Sequence, residues 1–430
     1  MRFSHTADCH IGGHRDPRLK ALSEQAFTRF ITESINERVE FIIIAGDLFN
    51  TAIPGIDTLK FTVTQLGRAK QHDIPVYAIP GSHDFSPSGK TMLDVLEEAQ
   101  LLKNVCRGTI TEQGTLHLTY TTDKKTGVKL TGVIGKRGML DRQIYEALDH
   151  TISDEPGKKI FLFHTAITEL KPKDLEQMEA APVSFLPKGF DYYAGGHVHI
   201  VERYNDEARD YRNVVYPGPL FPNSFSEFEK LRHGGYFLYD DTLPPAQRAK
   251  HKPLPLKEVI PLHLDVSGKD ATAANAQLQE LAATLSAAHL HGAIVLLRVE
   301  GTLTGGSPND LDLRTAIHSL EERGAYIVLR NTSRLESPEF AAIHVTHEHA
   351  HDLLTTLLDE HADQLQLDKE LRNDDGKPMD GPALARDLLA VLSQEHQEGE
   401  KIGEHQDRVI RDALALVDRG RDAPDAAAKR

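Results

Sequence analysis

Short apolar runs, each stopped by a polar loop, alternate with amphipathic stretches through the first part of the chain. Met1 to Ala7 reads as a strand that runs into Asp8-Cys9-His10-Ile11-Gly12-Gly13. Leu22, Ala26, Phe27, Phe30 and Ile31 then fall at helical spacing, which predicts an amphipathic helix to about Asn36. Glu40 to Ala45 is almost continuously apolar and ends in Gly46-Asp47, the pattern of a central strand covered on both faces. A second helix is predicted from about Gly55 to His72. Pro75 to Ile79 forms another buried strand, stopped by Pro80-Gly81-Ser82-His83-Asp84. This rhythm of strand, loop and helix predicts a layered α/β core whose polar residues gather beyond the C-terminal strand ends.

The pattern then changes. Thr115 to Thr122 and Gly127 to Gly135 carry alternating and β-branched residues around an Asp-Lys-Lys-Thr-Gly turn, which predicts a hairpin or edge pair. Lys159 to Phe163 is an apolar strand ending at His164, and Phe190 to Ala194 leads into Gly195-Gly196-His197-Val198-His199. Val214 to Pro219 and Gly235 to Tyr239 close a first domain over 1–241. Thr242 to Pro255 is rich in proline and reads as a linker. A smaller α/β unit follows over 257–345. Its strands are expected at Lys257–Val266, Ala293–Val299 and Ala325–Arg330, and its helices at Ala271–Ala287 and Leu311–Glu322. From 349 to about 420 the pattern turns helical, with Leu353, Leu357 and Leu358 and later Leu384, Leu388 and Leu392 in register. The last ten residues, rich in Ala, Asp and Arg, are expected to be disordered.

Composition narrows the class. A chain of 430 residues is too long for one comfortable core, so two or three domains are expected. The formal net charge of −15 excludes a generic polycation that clings to nucleic acid. It does not exclude an enzyme acting on nucleic acid, because bound divalent cations reverse the local sign. Cys9 and Cys106 alone give no disulfide framework, which favours a reducing, cytoplasmic setting. No apolar stretch is long enough to span a bilayer, and the strand-like start is expected to leave no room for a signal peptide.

The candidate chemistry lies in five stretches: Asp8 with His10, Asp47, Ser82-His83-Asp84, His164, and His197 with His199. A single His-x-His says little in a chain with 23 histidines. The whole set says more, because each stretch follows a hydrophobic run and an α/β sheet would deliver all of them to one edge. Carboxylates and neutral imidazoles together suit Mn, Fe or Zn. Two cations need a bridging anion between them, and Asp47 is the carboxylate placed to provide it. Two ions roughly 3.5–4 Å apart can activate water and hold phosphate oxygens. The spacings are too long for a zinc finger. Asp84 reads as a group that organises its loop or orients His83. His5 and His14 read as structural or surface groups.

Asp8-Cys9-His10, Gly46-Asp47-Leu48-Phe49, Gly81-Ser82-His83-Asp84, His164 and Gly196-His197-Val198-His199 together resemble the calcineurin-like metallophosphoesterase superfamily. Within it the chain resembles the Mre11/SbcD group of DNA repair nucleases, through Ala45-Gly46-Asp47-Leu48-Phe49, Ala26-Phe27 in the first helix and the smaller α/β unit. The resemblance covers about residues 1–240. It implies a layered β-sandwich core flanked by helices, an α/β cap domain and a helical C-terminal region. It also implies two Mn ions, with other divalent metals as substitutes. Asp8, His10, Asp47 and His199 would hold one ion, and Asp47, His164, His197 and Ser82 the other. The family carries Asn where this chain has Ser82, and a hydroxyl is a shorter, weaker ligand than a side-chain amide. A weaker second metal position is therefore expected. Asn50 also departs from the His common in archaeal Mre11-like sequences.

His83 would be the catalytic residue, contacting the scissile phosphate or protonating the leaving oxygen. The resemblance implies a nuclease that hydrolyses phosphodiester bonds at DNA ends in double-strand break repair, as a 3'-5' exonuclease, a single-strand endonuclease or both. Two alternatives stand beside it: an esterase of small nucleotides or phosphomonoesters, and a DNA-end-binding scaffold with weakened cleavage. Lys136, Arg137, Arg298 and Arg330 are candidate contacts to the DNA backbone. Residues 349–420 are the candidate docking segment for a Rad50/SbcC-like ATPase. The group also implies a homodimer, and no membrane is expected.

Overall fold

The computed structural model describes residues 1–86, 90–136, 142–171, 178, 180–337, 381–392, 394, 408–414 and 416. Two compact units divide the chain, Met1–Ser337 and Pro338–Arg430.

The first unit begins with β1 (Arg2–Thr6), α1 (Pro17–Asn36), β2 (Phe41–Ala45), α2 (Ile56–Gln71), β3 (Val76–Ile79), α3 (Met92–Glu98) and β4 (Lys103–Asn104). Two short hairpins follow, β5 (Gly108–Ile110) with β6 (Leu116–Leu118) and β7 (Thr121–Thr122) with β8 (Lys129–Gly132). The chain continues through α4 (Arg142–Glu146), β9 (Lys159–His164), β10 (Tyr192–Gly196), β11 (Val201–Asp206) and β12 (Tyr211–Pro217). It then passes through α5 (Phe225–Leu231), β13 (Gly235–Asp240) and β14 (Ala249–Pro253). A second α/β layer comprises β15 (Val259–Asp265), α6 (Ala271–Thr284), α7 (Ala287–Leu290), β16 (Ile294–Thr302), α8 (Leu313–Glu322) and β17 (Ile327–Glu336).

Two six-stranded sheets form the sandwich, in the orders β14-β13-β1-β2-β3-β4 and β11-β12-β10-β9-β8-β7. Their central strands run parallel, which brings many C-terminal ends to one edge. Period-two packing explains why those strands read as unbroken apolar runs. Phe41 and Ile43 of β2 face the inter-sheet core with Tyr77, Ile160, Leu162 and Tyr192. Ile42 and Ile44, one residue out of phase, face the core under α1 and α2 with Phe27, Phe30 and Leu66. Phe161 and Phe163 of β9 point to a third layer with Tyr193 and Tyr216.

The three-stranded parallel sheet β15-β16-β17 packs its own core on α6 and α8 through Leu264, Leu278, Leu297 and Leu320. It is joined to the sandwich on its other face, where Leu254, Ile294, Leu296 and Ile327 share the core under α1. Arg18 adds a bond of 2.8 Å to Glu321 and one of 3.2 Å to the Tyr326 carbonyl. The mixed α/β architecture matches the sequence-based expectation.

Three local readings differ. Residues 249–253, expected within a linker, form the edge strand β14, paired antiparallel with β13. Proline content misled there: Pro253 sits at the strand's end on an outer edge, where a missing N–H leaves no ladder bond unmade. The helix expected to Ala287 ends at Thr284, and Ser286 caps a separate turn by accepting from the His289 amide. Val201–Asp206, for which no strand was expected, is the edge strand β11; its polar Val-Glu-Arg-Tyr-Asn-Asp sequence suits half-exposure. In the second unit, α9 (Gly381–Leu392) carries Leu384, Leu388 and Leu392, and residues 408–414 are helical. Leu353, Leu357, Leu358 and the final ten residues lie outside the described residues. Among the described residues no helix is long and apolar enough to cross a membrane.

Candidate metal centre

The parallel strands end together, and the turns beyond them carry the candidate ligands. Backbone pairing continues past β1 and β2, with the amides of Asp8, His10 and Ile11 donating to the carbonyls of Gly46, Asp47 and Leu48 at 3.0–3.1 Å. This fixes the first two loops against each other. Asp8, His10, Asp47, His197 and His199 all have positive φ, five of the eleven such non-glycine residues among those described. Backbone in that region is disfavoured for ordinary side chains, and its concentration here is the mark of a functional constraint. The His-x-His pair is therefore aimed by a turn and does not lie on a strand.

Close approach also explains two glycines. Gly46 has φ +91°, and a Cβ there would lie 2.2 Å from His164 Nδ1. A Cβ on Gly81 would lie 2.2 Å from Asp47 Oδ1. Either side chain would displace a ligand.

The buried side chains converge as the sequence implied. His164 Nε2 is 3.3 Å from Asp47 Oδ2 and 3.9 Å from Asp8 Oδ1. His10 Nε2 is 3.6 Å from Asp47 Oδ2 and 3.1 Å from His199 Nε2, and His199 Nε2 is 3.7 Å from Asp8 Oδ1. Three groups have ligand atoms close enough to share an ion: Asp8 with His10 and His199, Asp8 with Asp47 and His164, and His10 with Asp47 and His83. Membership of His83 in the third group was not expected from its proposed catalytic role. The His197 ring is outside these groups but 5.2 Å from the His164 ring, and its amide donates to both Asp8 oxygens at 3.0 and 3.1 Å. Ser82 is buried and lines the same open cavity of about 270 Å³ as His83, Asn50 and His199.

Imidazole orientation fits a cation centre. The His164 Nδ1 donates to the Ala45 carbonyl at 2.8 Å, which leaves its Nε2 facing the carboxylates. That Nε2 is buried without a hydrogen-bond partner, as is His10 Nδ1. Two Nε2 atoms facing each other at 3.1 Å, beside two carboxylates, form a donor set that a divalent ion would satisfy. His83 Nδ1 bonds to the Asn50 carbonyl at 2.8 Å, which turns its other nitrogen toward the cavity.

Carboxylates and imidazoles packed this closely shift one another's titration. Burial alone would discharge His164, but the facing carboxylates of Asp47 and Asp8 raise it to about 10. Burial likewise opposes the charge on His199, and Asp8 and Glu227 raise it to about 9. Burial pushes His10 down to about 3; His197, although exposed at the cavity, is pushed down to about 4 by desolvation of its ring and the neighbouring His164. Burial works against the Asp47 carboxylate, yet the adjoining His164 holds it below the usual range. Asp8 is raised, chiefly by burial. An arriving divalent ion would replace the protons on His164 and His199.

Asp84 has a role close to the expected one, although its partners are backbone amides and not the His83 ring. Its carboxylate accepts from Gly81 at 3.0 Å, Leu48 at 3.2 Å and Phe49 at 3.0 Å, which staples the Asp47 loop to the Ser82 loop. Burial and the Asp47 charge push it up to about 7 against those donors. His5 and His14 are structural neighbours: His5 is buried with Nδ1 2.9 Å from the Tyr192 hydroxyl, and His14 stacks edge-on with Phe221.

The match of residues 1–201 to the family model for calcineurin-like phosphoesterases agrees with this arrangement. Residues 1–201 form a calcineurin-like phosphoesterase domain. Proteins similar to the chain include the DNA double-strand break repair protein Mre11 of Archaeoglobus fulgidus, 27% identical over 239 residues, which are 54% of this chain and 52% of that protein. The protein of the same name from Methanopyrus kandleri is 28% identical over 56% of this chain and 54% of its own length. That from Sulfolobus acidocaldarius is 31% identical over 46% and 50%. The chain thus spans about half the length of the curated relatives it matches.

Sequence reasoning missed one residue at the phosphoesterase centre. Glu227 Oε1 lies 3.2 Å from His199 Nδ1. Ser224-Phe225-Ser226-Glu227 carries the Ser-x-x-Glu signature of a helix start, which could have marked α5. Of the candidate DNA contacts, Lys136 sits over the Phe85 ring and Arg330 is exposed. Arg298 is engaged elsewhere, paired with Glu229, and Arg137 lies outside the described residues.

Proposed function

We propose that the chain is a nuclease that uses two divalent ions, manganese foremost, to hydrolyse phosphodiester bonds at DNA ends in double-strand break repair. The observation that carries this reading is the convergence of Asp8, His10, Asp47, His164 and His199, at an open cavity that His10, Asp47, His83 and His199 line. Likeness to three archaeal repair proteins supports DNA as the substrate class.

Asp8, His10, Asp47 and His199 would hold one ion, and Asp47, His164, His197 and Ser82 the other. When bound, such ions lower the pKa of water and offset the charge of the phosphate. The protein's own part is positional. Asp47 Oδ1 accepts from the His83 amide while Oδ2 faces His164 and His10, so this carboxylate would stand between the two ions and offset their charge. His83, anchored by the Asn50 carbonyl, has a nitrogen free to bond the phosphate or to protonate the departing sugar oxygen. No covalent enzyme intermediate is required. Residues 257–345 act as a cap that limits how DNA enters, with Arg330 and Lys136 as backbone contacts. Residues 349–420 dock a Rad50-like ATPase, and the nuclease domain forms a homodimer, as the family resemblance implies.

Manganese titration with a linear duplex, a nicked or single-stranded DNA and a small phosphate ester tests the reading. Metal-dependent shortening or cutting of DNA is expected. Turnover of the small ester alone overturns the nuclease in favour of a small-molecule esterase, and DNA binding without cleavage overturns it in favour of a scaffold.

A further inference from the structure

Helix α5 touches the metal centre on one side and the three-stranded sheet on the other. Toward the centre, Glu227 Oε1 is 3.2 Å from His199 Nδ1 while His199 Nε2 faces Asp8 and His10. The carboxylate is itself held: its Oε2 accepts from the Asn223 amide at 2.8 Å and its Oε1 from the Ser224 hydroxyl at 3.1 Å. Toward the sheet, Glu229 takes the Arg298 guanidinium of β16 at two points, 2.7 and 2.5 Å, with the Phe225 ring 5.2 Å from that guanidinium. Arg298 is 16% exposed and Glu229 29%, so the pair is partly withdrawn from solvent. Residues two apart on a helix are rotated by about 200° from one another, so Glu227 and Glu229 necessarily face opposite ways.

The anchors of the other imidazoles differ in kind. His164 and His83 are held by the carbonyls of Ala45, at the end of β2, and Asn50, on the loop that follows it and carries Asp47. Among the described residues of the centre, His199 is the imidazole whose far nitrogen meets a carboxylate, and that carboxylate rides on a separate short helix. An imidazole offers a lone pair at only one nitrogen, and a carboxylate accepting from Nδ1–H fixes that lone pair at Nε2 and makes it more basic.

We propose that Glu227 is a positioning residue for His199, and that the Arg298–Glu229 pair fixes α5 so that the three-stranded sheet sets the affinity of the ion held by Asp8, His10 and His199. This rests on the metal-centre reading above and is separable from the choice of DNA as substrate.

The test is manganese binding to the full chain by calorimetry, with the visible absorption of the cobalt-loaded protein as a report on geometry. Glu227→Ala should weaken the tighter ion by about 10–100-fold and alter the cobalt spectrum. Glu227→Gln, which keeps an acceptor oxygen, should recover much of the loss. Arg298→Met, which keeps an apolar stem against Phe225, should weaken the same ion by a smaller factor, and adding it to Glu227→Ala should cost nothing further. Thermal melts establish that each variant is folded; if Glu227→Ala is not, the spectrum and affinity of Glu227→Leu, which fills the same space without an acceptor, decide. Unchanged affinity and spectrum in Glu227→Ala, or in the Leu variant standing in for an unfolded Ala one, overturn the positioning role. An unchanged isotherm for Arg298→Met overturns the link to the sheet. Tight manganese binding by a chain that leaves DNA intact would sink the nuclease reading alone, and no manganese binding would sink both.

Discussion

The backbone amide of His83 donates to Asp47 Oδ1 at 2.8 Å, which leaves Asp47 Oδ2 to face His164 and His10. The two oxygens of one carboxylate thus have separate surroundings, one holding the loop and the other facing the candidate imidazole ligands. Asp47→Asn keeps an oxygen for the amide but removes the charge that would stand between the two proposed cations. Cleavage should fall by about a hundredfold or more and bound manganese from two ions to one or none, with a melting temperature near the parent's. Manganese stoichiometry by calorimetry and DNA cleavage at saturating metal check this; two tightly held ions in the variant would count against the bridge.

Ser82 is buried at the cavity wall on the turn shared with His83. A hydroxyl reaches less far than an amide carbonyl, so Ser82→Asn should tighten the weaker ion by about tenfold. Competition with a metal-sensitive dye measures this directly. No gain in affinity would remove Ser82 as the cause of an uneven centre.

Asp84 closes the loops by accepting three backbone amides. Asp84→Ala leaves three buried donors unpaired, each costing about 1–3 kcal/mol, so a loss of about 3 kcal/mol or more of stability is expected together with weaker metal binding. Urea unfolding gives the first and calorimetry the second. A variant as stable as the parent would show that water satisfies those amides.

His5 offers a test of pH dependence away from the ions. Burial lowers its pKa to about 3, against a bond with Gly195 that raises it. The folded value is therefore below the unfolded one, and between about pH 6.5 and 3 the unfolded chain binds a proton that the folded chain refuses. Its contribution is complete above about pH 6.5 and is lost as pH falls toward 3, with a slope of up to about 1.4 kcal/mol per unit. His5→Gln should flatten the fall in unfolding free energy between pH 6 and 4.5. Parallel curves for parent and variant would refute the assignment.

The sandwich was legible in the sequence because its central strands are apolar on both faces and the polar stops after them are short. Asp8, Asp47 and His164 could be read from those stops, since each follows a strand that must be buried. Edge strands were less visible: β11 and β14 face solvent along one side, so their sequences lose the apolar signal, and proline near β14 mimics a connection. Glu227 was hidden for a different reason. Its role depends on α5 folding back across the strand ends, a long-range contact that no local pattern encodes, and an acidic residue in the first turn of a helix has an ordinary explanation in the helix dipole. The same holds for Arg298, whose charge looked available for phosphate until its partner was visible.

The left-handed backbone at His10 and His199 sets ligand geometry against local chain preference. Glycine adopts that conformation freely, so replacing either histidine with glycine relieves the backbone at the same time as it removes a donor. Apparent melting temperature is therefore a poor guide to which variants have kept the centre intact. Selection for thermal robustness alone, with manganese withheld, would be expected to erode these turns first.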